Sequence, residues 1–144
     1  MLIGEYLHRL DPKRRVSIPA KMRKVFGDRL IVTRGLDQCL FLYTESQWRV
    51  IASKLSELSM GQTKTRQFVR MMLAGAEEVE LDTLGRVLIP DHLATYAGLK
   101  GEVVVTGVYT RAEIWAKDTW ENYRTLVTER ADELAEELGN QGVY

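Results

Sequence analysis

The chain has 144 residues, of which 45% are hydrophobic and 28% are charged, a composition typical of an ordinary globular protein. No run approaches the ~20 apolar residues that a membrane span requires, so we expect no membrane partner. The start, MLIGEYLHRLD, lacks the basic and long apolar regions of a signal peptide. The single cysteine, Cys39, cannot form an internal disulfide. It lies in the apolar run CLFLY, which predicts a buried thiol. A chain with one thiol and no internal disulfide fits a reducing cytoplasm.

The charges are distributed unevenly, although the formal net charge is zero. Residues 1–72 contain 14 Lys/Arg and 6 Asp/Glu, a balance of +8. Residues 73–144 contain 6 Lys/Arg and 14 Asp/Glu, a balance of −8. This division indicates two faces with different partners, which the net value conceals.

An internal repeat organises the sequence. Residues 4–19, GEYLHRLDPKRRVSIP, align without gaps with residues 75–90, GAEEVELDTLGRVLIP, and seven of the sixteen positions are identical. With one residue of slippage the similarity continues as far as Trp48 and Trp120. The repeat predicts two equivalent structural units.

The first copy begins with a predicted strand over about residues 5–10. After the turn DPKR, a second strand, RVSI, alternates polar and apolar residues as a half-buried strand does. Pro19 then opens a short helix, AKMRKVF, which ends before Gly27, a predicted left-handed cap. The strands RLIVTR and CLFLY lead to a longer helix, where Thr44 and Gln47 have capping-box spacing.

A helix over TKTRQFVRMMLAG connects the copies, and the second copy repeats the order of elements. It has a strand over 77–81, the turn DTLG, the strand RVLI, and the helix DHLATYA before Gly98, followed by the strands EVVVTG and AEIW. A last helix runs from KDTWENY to about Leu138, and its acidic end should be solvated. Four apolar residues of the connecting helix are predicted to face the core: Phe68, Val69, Met72 and Leu73.

These elements predict an α+β fold with four segments. The first repeat occupies residues 1–58 and is basic, and a linking helix occupies 59–75. The second repeat, with its acidic C-terminal helix, occupies 76–138, and a tail occupies 139–144.

The sequence resembles the MraZ family in the motifs LDPKRRVSIPAKMR, ELDTLGRVLIP, TRGLDQCLFLY and EIW, and the resemblance covers essentially the whole chain. Two Asp-x-x-x-Arg motifs about 70 residues apart, each followed by a strand and a proline, are a specific signal. The resemblance implies a pseudo-twofold barrel whose halves exchange β-hairpins, similar to AbrB-type regulators, flanked here by helices. It also implies a nucleoid-associated, cytoplasmic transcriptional regulator of the division and cell-wall gene cluster, its own promoter included. Such a regulator binds short direct repeats of double-stranded DNA as a ring-shaped homo-oligomer, often an octamer.

One position departs from the family's motif. The family usually has glycine just before the first motif's arginine, whereas this chain has Arg14; the second motif keeps Gly85. Glycine there suits a turn with positive φ. Arg14 must therefore either accept strain in that turn or adopt a different one.

The basic residues of the first copy are candidates for DNA contact. Hairpin tips and two-stranded ribbons enter the major groove, where an arginine that meets O6 and N7 of guanine contributes about 1–3 kcal/mol of discrimination. We expect Arg15 to read bases, with Arg14 or Lys13 beside it, and Arg86 to be a weaker candidate. The expected phosphate contacts are Arg9, Lys21, Arg23 and Lys24.

The same residues also have structural interpretations. Asp11 and Asp82 are expected to pair with Arg15 and Arg86 across their own turns and to cap backbone N–H groups, with Gly85 completing the second turn. The helical cations Lys21, Arg23 and Lys24 are equally consistent with the solvated face of a short helix.

An enzyme is not expected. The two histidines, His8 and His92, belong to no metal-ligand cluster, and no phosphate-binding glycine loop or nucleophile motif is present. We therefore expect no catalytic residue, metal, cofactor or small-molecule substrate.

The alternative function is a ring-forming protein-interaction scaffold without DNA binding, which the acidic helical tail and three tryptophans would suit. Equivalent core positions explain those tryptophans more simply: Trp48, Trp115 and Trp120.

Overall fold

Both halves of the chain fold with the same order of elements. The computed structural model describes residues 1–143. The first half contains β1 (Leu2–Arg9), β2 (Arg15–Ser17), α1 (Ala20–Phe26), β3 (Arg29–Arg34), β4 (Leu40–Tyr43) and α2 (Glu45–Ser56). Helix α3 (Thr63–Ala74) follows. The second half contains β5 (Glu77–Glu80), β6 (Arg86–Leu88), α4 (Asp91–Tyr96), β7 (Glu102–Tyr109), β8 (Ala112–Ala116), α5 (Lys117–Glu129) and α6 (Ala131–Asn140). The predicted α+β class is confirmed.

Each copy contributes its first strand to the other copy. Strand β1 pairs antiparallel with β7 along its whole length, from Leu2 opposite Tyr109 to Arg9 opposite Glu102. In the equivalent arrangement, β5 pairs antiparallel with β3. The resulting six-stranded sheet has the order β1-β7-β8-β4-β3-β5. The exchange of strands between the halves is therefore confirmed.

The second strands of the two copies form a separate two-stranded sheet, here called the ribbon (β2 and β6). Val16 and Val87 lie opposite one another at its centre, and both are fully buried. The ribbon lies over the main core, which also contains Met22 of α1, Leu93 of α4 and Leu42 of the large sheet. Because side chains alternate along a strand, burying the valines directs their neighbours in the ribbon to the outside.

A second apolar cluster covers the opposite side of the large sheet. Phe41, Tyr43 and Trp115 lie there with Met72 of α3. Cys39 belongs to this cluster and is fully buried, as predicted, and burial raises the pKa of its thiol. The molecule therefore has helices α2, α3 and α5 on one side of the sheet and the ribbon with α1 and α4 on the other.

Some local predictions were wrong. The last helix is interrupted at Arg130, whose ψ of 14° leaves the helical range, so α5 and α6 are separate. Phe68 is 38% exposed, since α3 turns Val69 and Met72 to the sheet instead. Gly27 has positive φ but a ψ of −133°, which is not the predicted left-handed cap. Each error concerns orientation or a boundary, which tertiary packing decides.

Within residues 1–143, none of the helices has the length and apolar character needed to cross a membrane.

Candidate nucleic-acid interface

Two loops of matching design flank the ribbon: the first loop (residues 11–14) and the second loop (residues 82–85). In the first, Asp11 Oδ1 accepts hydrogen bonds from the backbone N–H groups of Lys13 and Arg15, both at 2.9 Å. In the second, Asp82 Oδ1 accepts from Leu84 and Arg86 at the same distances. Each aspartate therefore holds its loop closed with its own side chain.

The same carboxylates orient the arginine that follows each loop. Arg15 Nε donates to Asp11 Oδ2 at 2.6 Å, and Arg86 Nε donates to Asp82 Oδ2 at 2.8 Å. The backbone N–H bonds, above all from Arg15 and Arg86, lower the pKa of both carboxyls, and the guanidinium bonds add to this. Since the aspartates engage Nε, the Nη1–Nη2 edge of each guanidinium is left for an external acceptor.

The two loops have the same backbone conformation despite their different sequences. Arg14 has φ of 60° and Gly85 has φ of 76°. Each donates its N–H to the carbonyl of its loop aspartate at 2.9 Å. Arg14 therefore adopts the glycine-type turn and accepts the strain, about 1 kcal/mol for a residue with a side chain.

The loops also connect the copies through backbone hydrogen bonds. Ile89 N–H donates to the Arg14 carbonyl at 2.8 Å, and Ile18 N–H donates to the Gly85 carbonyl at 2.9 Å. The Arg14 side chain adds a third bond, because its Nε donates to the Ile89 carbonyl at 3.1 Å. Each loop is thus anchored to the other copy's strand end.

Pairing in the ribbon brings Arg15 and Arg86 to one exposed face. Arg15 lies opposite Leu88, and Arg86 lies opposite Ser17. Opposite residues of an antiparallel pair share a face, and the central valines occupy the other one. The two arginine side chains are 33% and 27% exposed. The exposed ribbon face therefore presents two oriented guanidinium groups, one from each copy.

The remaining candidates are more scattered. Lys13 is exposed in the first loop, and Lys21 and Lys24 lie on the exposed side of α1. Arg23, on the same helix, is partly buried and reaches the second loop, where its Nη1 donates to the Leu84 carbonyl at 3.4 Å. Arg9 belongs to the β1 side chains that face away from the core, and its Nη1 lies 4.0 Å from Glu102. Arg9 also lines a cleft with Asp11 and Arg14, so it lies beside the first loop.

Sequence reasoning missed the apolar part of this surface. Leu88 is 51% exposed beside Arg15, and Leu84 is exposed at the second loop. The sequence did contain a signal for Leu88, because the alternation of side chains along a strand places Leu88 on the same face as Arg86. Among residues 1–143, His, Cys, Asp and Glu side chains form no group of three or more able to hold a metal ion.

Comparison with known families agrees with this duplicated design. The family model described as "MraZ protein, putative antitoxin-like" matches residues 1–71 and, a second time, residues 72–138. The chain belongs to the MraZ family.

Relatives from several bacteria are similar along nearly their whole length. "Transcriptional regulator MraZ" of Carboxydothermus hydrogenoformans is 46% identical over 138 residues, which is 96% of each chain. The protein of the same name from Caldanaerobacter subterraneus subsp. tengcongensis is 45% identical over 140 residues, 97% of this chain and 98% of the relative. That of Alkaliphilus metalliredigens is 44% identical over 143 residues, 99% of this chain and all of the relative. The MraZ match therefore includes both loops and the ribbon.

Proposed function

We propose that this MraZ-family chain is a sequence-specific DNA-binding transcriptional regulator that places its ribbon face in the major groove. The observation that carries the proposal is the exposed ribbon face, on which Arg15 and Arg86 are held by their loop aspartates. A two-stranded ribbon fits the major groove of B-DNA. The names of the relatives, all transcriptional regulators, support the same function.

The groups on this face suit direct reading of bases. Arg15 and Arg86 offer Nη donors to guanine, and Leu88 offers methyl groups that can contact a thymine methyl. Arg15 is the stronger reader, since Lys13 and Arg14 add positive charge to its loop.

Phosphate contacts would set affinity and register. Lys21, Arg23 and Lys24 of α1 are the candidates near the loops. Arg9 is expected to contribute least, because the carboxylate of Glu102 lies 4.0 Å from its Nη1.

We propose that assembly into a ring of about eight subunits is part of the mechanism. One subunit with a few phosphate contacts binds weakly, in the ~10⁻⁴–10⁻⁶ M range of non-specific binding. Linked subunits on successive direct repeats gain about 10²–10⁴ through avidity. The basic first half and the acidic second half support head-to-tail contacts between subunits. Helices α5 and α6, which have no buried residues in the single chain, are a surface available for such contacts.

The biological role proposed here is control of the division and cell-wall gene cluster, the protein's own promoter included, in the cytoplasm at the nucleoid. The protein acts without a cofactor and without catalysis in this proposal.

Binding to the DNA upstream of the protein's own gene tests the function. With four to eight phosphates neutralised, log K should fall against log salt with a slope of about −4 to −7. Arg15→Ala should weaken binding by about tenfold or more, and Arg86→Ala by less. Arg70→Ala in α3, on the other side of the sheet, is the control for loss of one positive charge. A salt-independent affinity, or equal binding by all variants, would favour the scaffold function and overturn this one.

A further inference from the structure

Arg23 of the first copy occupies the space above the second loop. A Cβ atom built on Gly85 would lie 2.5 Å from Arg23 Cδ and 2.7 Å from Arg23 Cζ. These distances are shorter than any ordinary contact, so the arginine covers the position where a side chain at residue 85 would begin. The absence of a side chain at Gly85 is thus what makes room for Arg23.

The first loop shows the converse arrangement. Its Arg14 is the residue aligned with Gly85, and the helix beside it carries Ala94, the residue aligned with Arg23. Arg14 lines a cleft with Ala94 and Thr95 of α4. Each loop therefore has one arginine and one small residue facing each other. The loop supplies the arginine in the first case, and the neighbouring helix supplies it in the second.

The guanidinium of Arg23 is poorly satisfied by the protein. Its Nε is buried and, among residues 1–143, has no hydrogen-bond partner. Its bond to the Leu84 carbonyl is long, at 3.4 Å. Its positive charge acts on His8, whose pKa is lowered mainly by burial and further by Arg23. A cation held beside a loop with few acceptors is suited to an anion from outside, since an unpaired charge is costly to bury.

We propose that Arg23, which belongs to the first copy, supplies the second loop with a phosphate-binding cation. The second loop itself has Leu84 and Gly85 where the first loop has Lys13 and Arg14. Each loop then has two arginines: Arg14 with Arg15 in the first, and Arg23 with Arg86 in the second. This assignment rests on the proposed DNA-binding function and gives each loop two arginines despite their different sequences, with Lys13 as a further cation of the first loop.

Moving the guanidinium from the helix to the loop tests the assignment. Arg23→Ala should weaken DNA binding about three- to tenfold and reduce the salt slope by about 1, as expected for one lost phosphate contact. Arg23→Met keeps the apolar stem over Gly85 and removes the charge, and it should cause the same loss. The double variant Arg23→Ala/Gly85→Arg carries the cation on the loop, as Arg14 does, and should regain binding to within about threefold of wild type, near the size of a single phosphate contact.

The outcomes separate this inference from the general function. If Arg15→Ala loses binding but Arg23→Met keeps wild-type affinity and salt slope, DNA binding stands and the role of Arg23 is refuted. The role is also refuted if the double variant folds, as judged by thermal unfolding, yet binds no better than Arg23→Ala. If wild type itself shows no salt-dependent binding, the proposed function fails first. Arg70→Ala is again the charge-matched control.

Discussion

The two loops of this molecule have nearly identical backbones and very different side chains. Both are closed by an aspartate, both contain a residue with positive φ, and both orient an arginine on the ribbon. Yet the first loop carries Lys13 and Arg14, where the second has Leu84 and Gly85. The comparison shows that duplication has preserved the hydrogen bonds that form the loop, whereas the side chains at positions that join the loop only through their backbone N–H groups have diverged.

The largest expected effect tests whether the two halves contribute equally to stability. Val16→Ala and Val87→Ala each remove two buried methyl groups from the centre of the ribbon. Each should lower the free energy of unfolding by about 2 kcal/mol, through lost apolar burial and the cavity that remains. Chemical denaturation of both variants measures this. The expected cost of each substitution is about 2 kcal/mol, and half of it is ~1 kcal/mol. If the free energies of unfolding of the two variants differ by well above that half, the pseudo-twofold symmetry does not extend to energetics.

A smaller effect tests the strain in the first loop. Because Arg14 has positive φ, Arg14→Gly should be more stable than Arg14→Ala by about 1 kcal/mol, the reverse of the usual order. Both variants lose the bond from Arg14 Nε to the Ile89 carbonyl, so this loss cancels in the comparison. Unfolding in denaturant gives the difference. An alanine variant as stable as the glycine variant would mean that the loop relaxes to another turn.

The smallest effect concerns the response of the loops to acid. Asp11 and Asp82 have pKa values lowered by the same kind of hydrogen bonds. A carboxyl with a lower pKa in the folded than in the unfolded state adds stability above the unfolded value of about 3.9, and this is lost as the pH falls through the folded value. Both carboxyls should therefore titrate below that value when followed by NMR, with no change near pH 7. A normal pKa at only one of them would break the equivalence of the loops.

Much of the candidate site was predictable because its contacts are local. The aspartate and arginine of each loop are four residues apart, so their pairing follows from turn chemistry alone. The alternation of Val16 with Arg15 likewise indicated which side chain faces outward. The contact of Arg23 with the second loop was not predictable, because it joins residues 61 positions apart. The apolar pattern of the last helix likewise gave no sign of its interruption at Arg130.

The sequence by itself determined the duplication, the order of elements and the internal hydrogen bonds of each loop. These depend on spacings of a few residues and on the alternation of apolar side chains. Only the tertiary structure decided that Arg15 and Arg86 share one face, that Arg9 lies beside Glu102, and that Arg23 reaches the second loop. The reason is that strand exchange places segments of one copy against the other, and the register and close packing of distant segments exist only once the chain has folded.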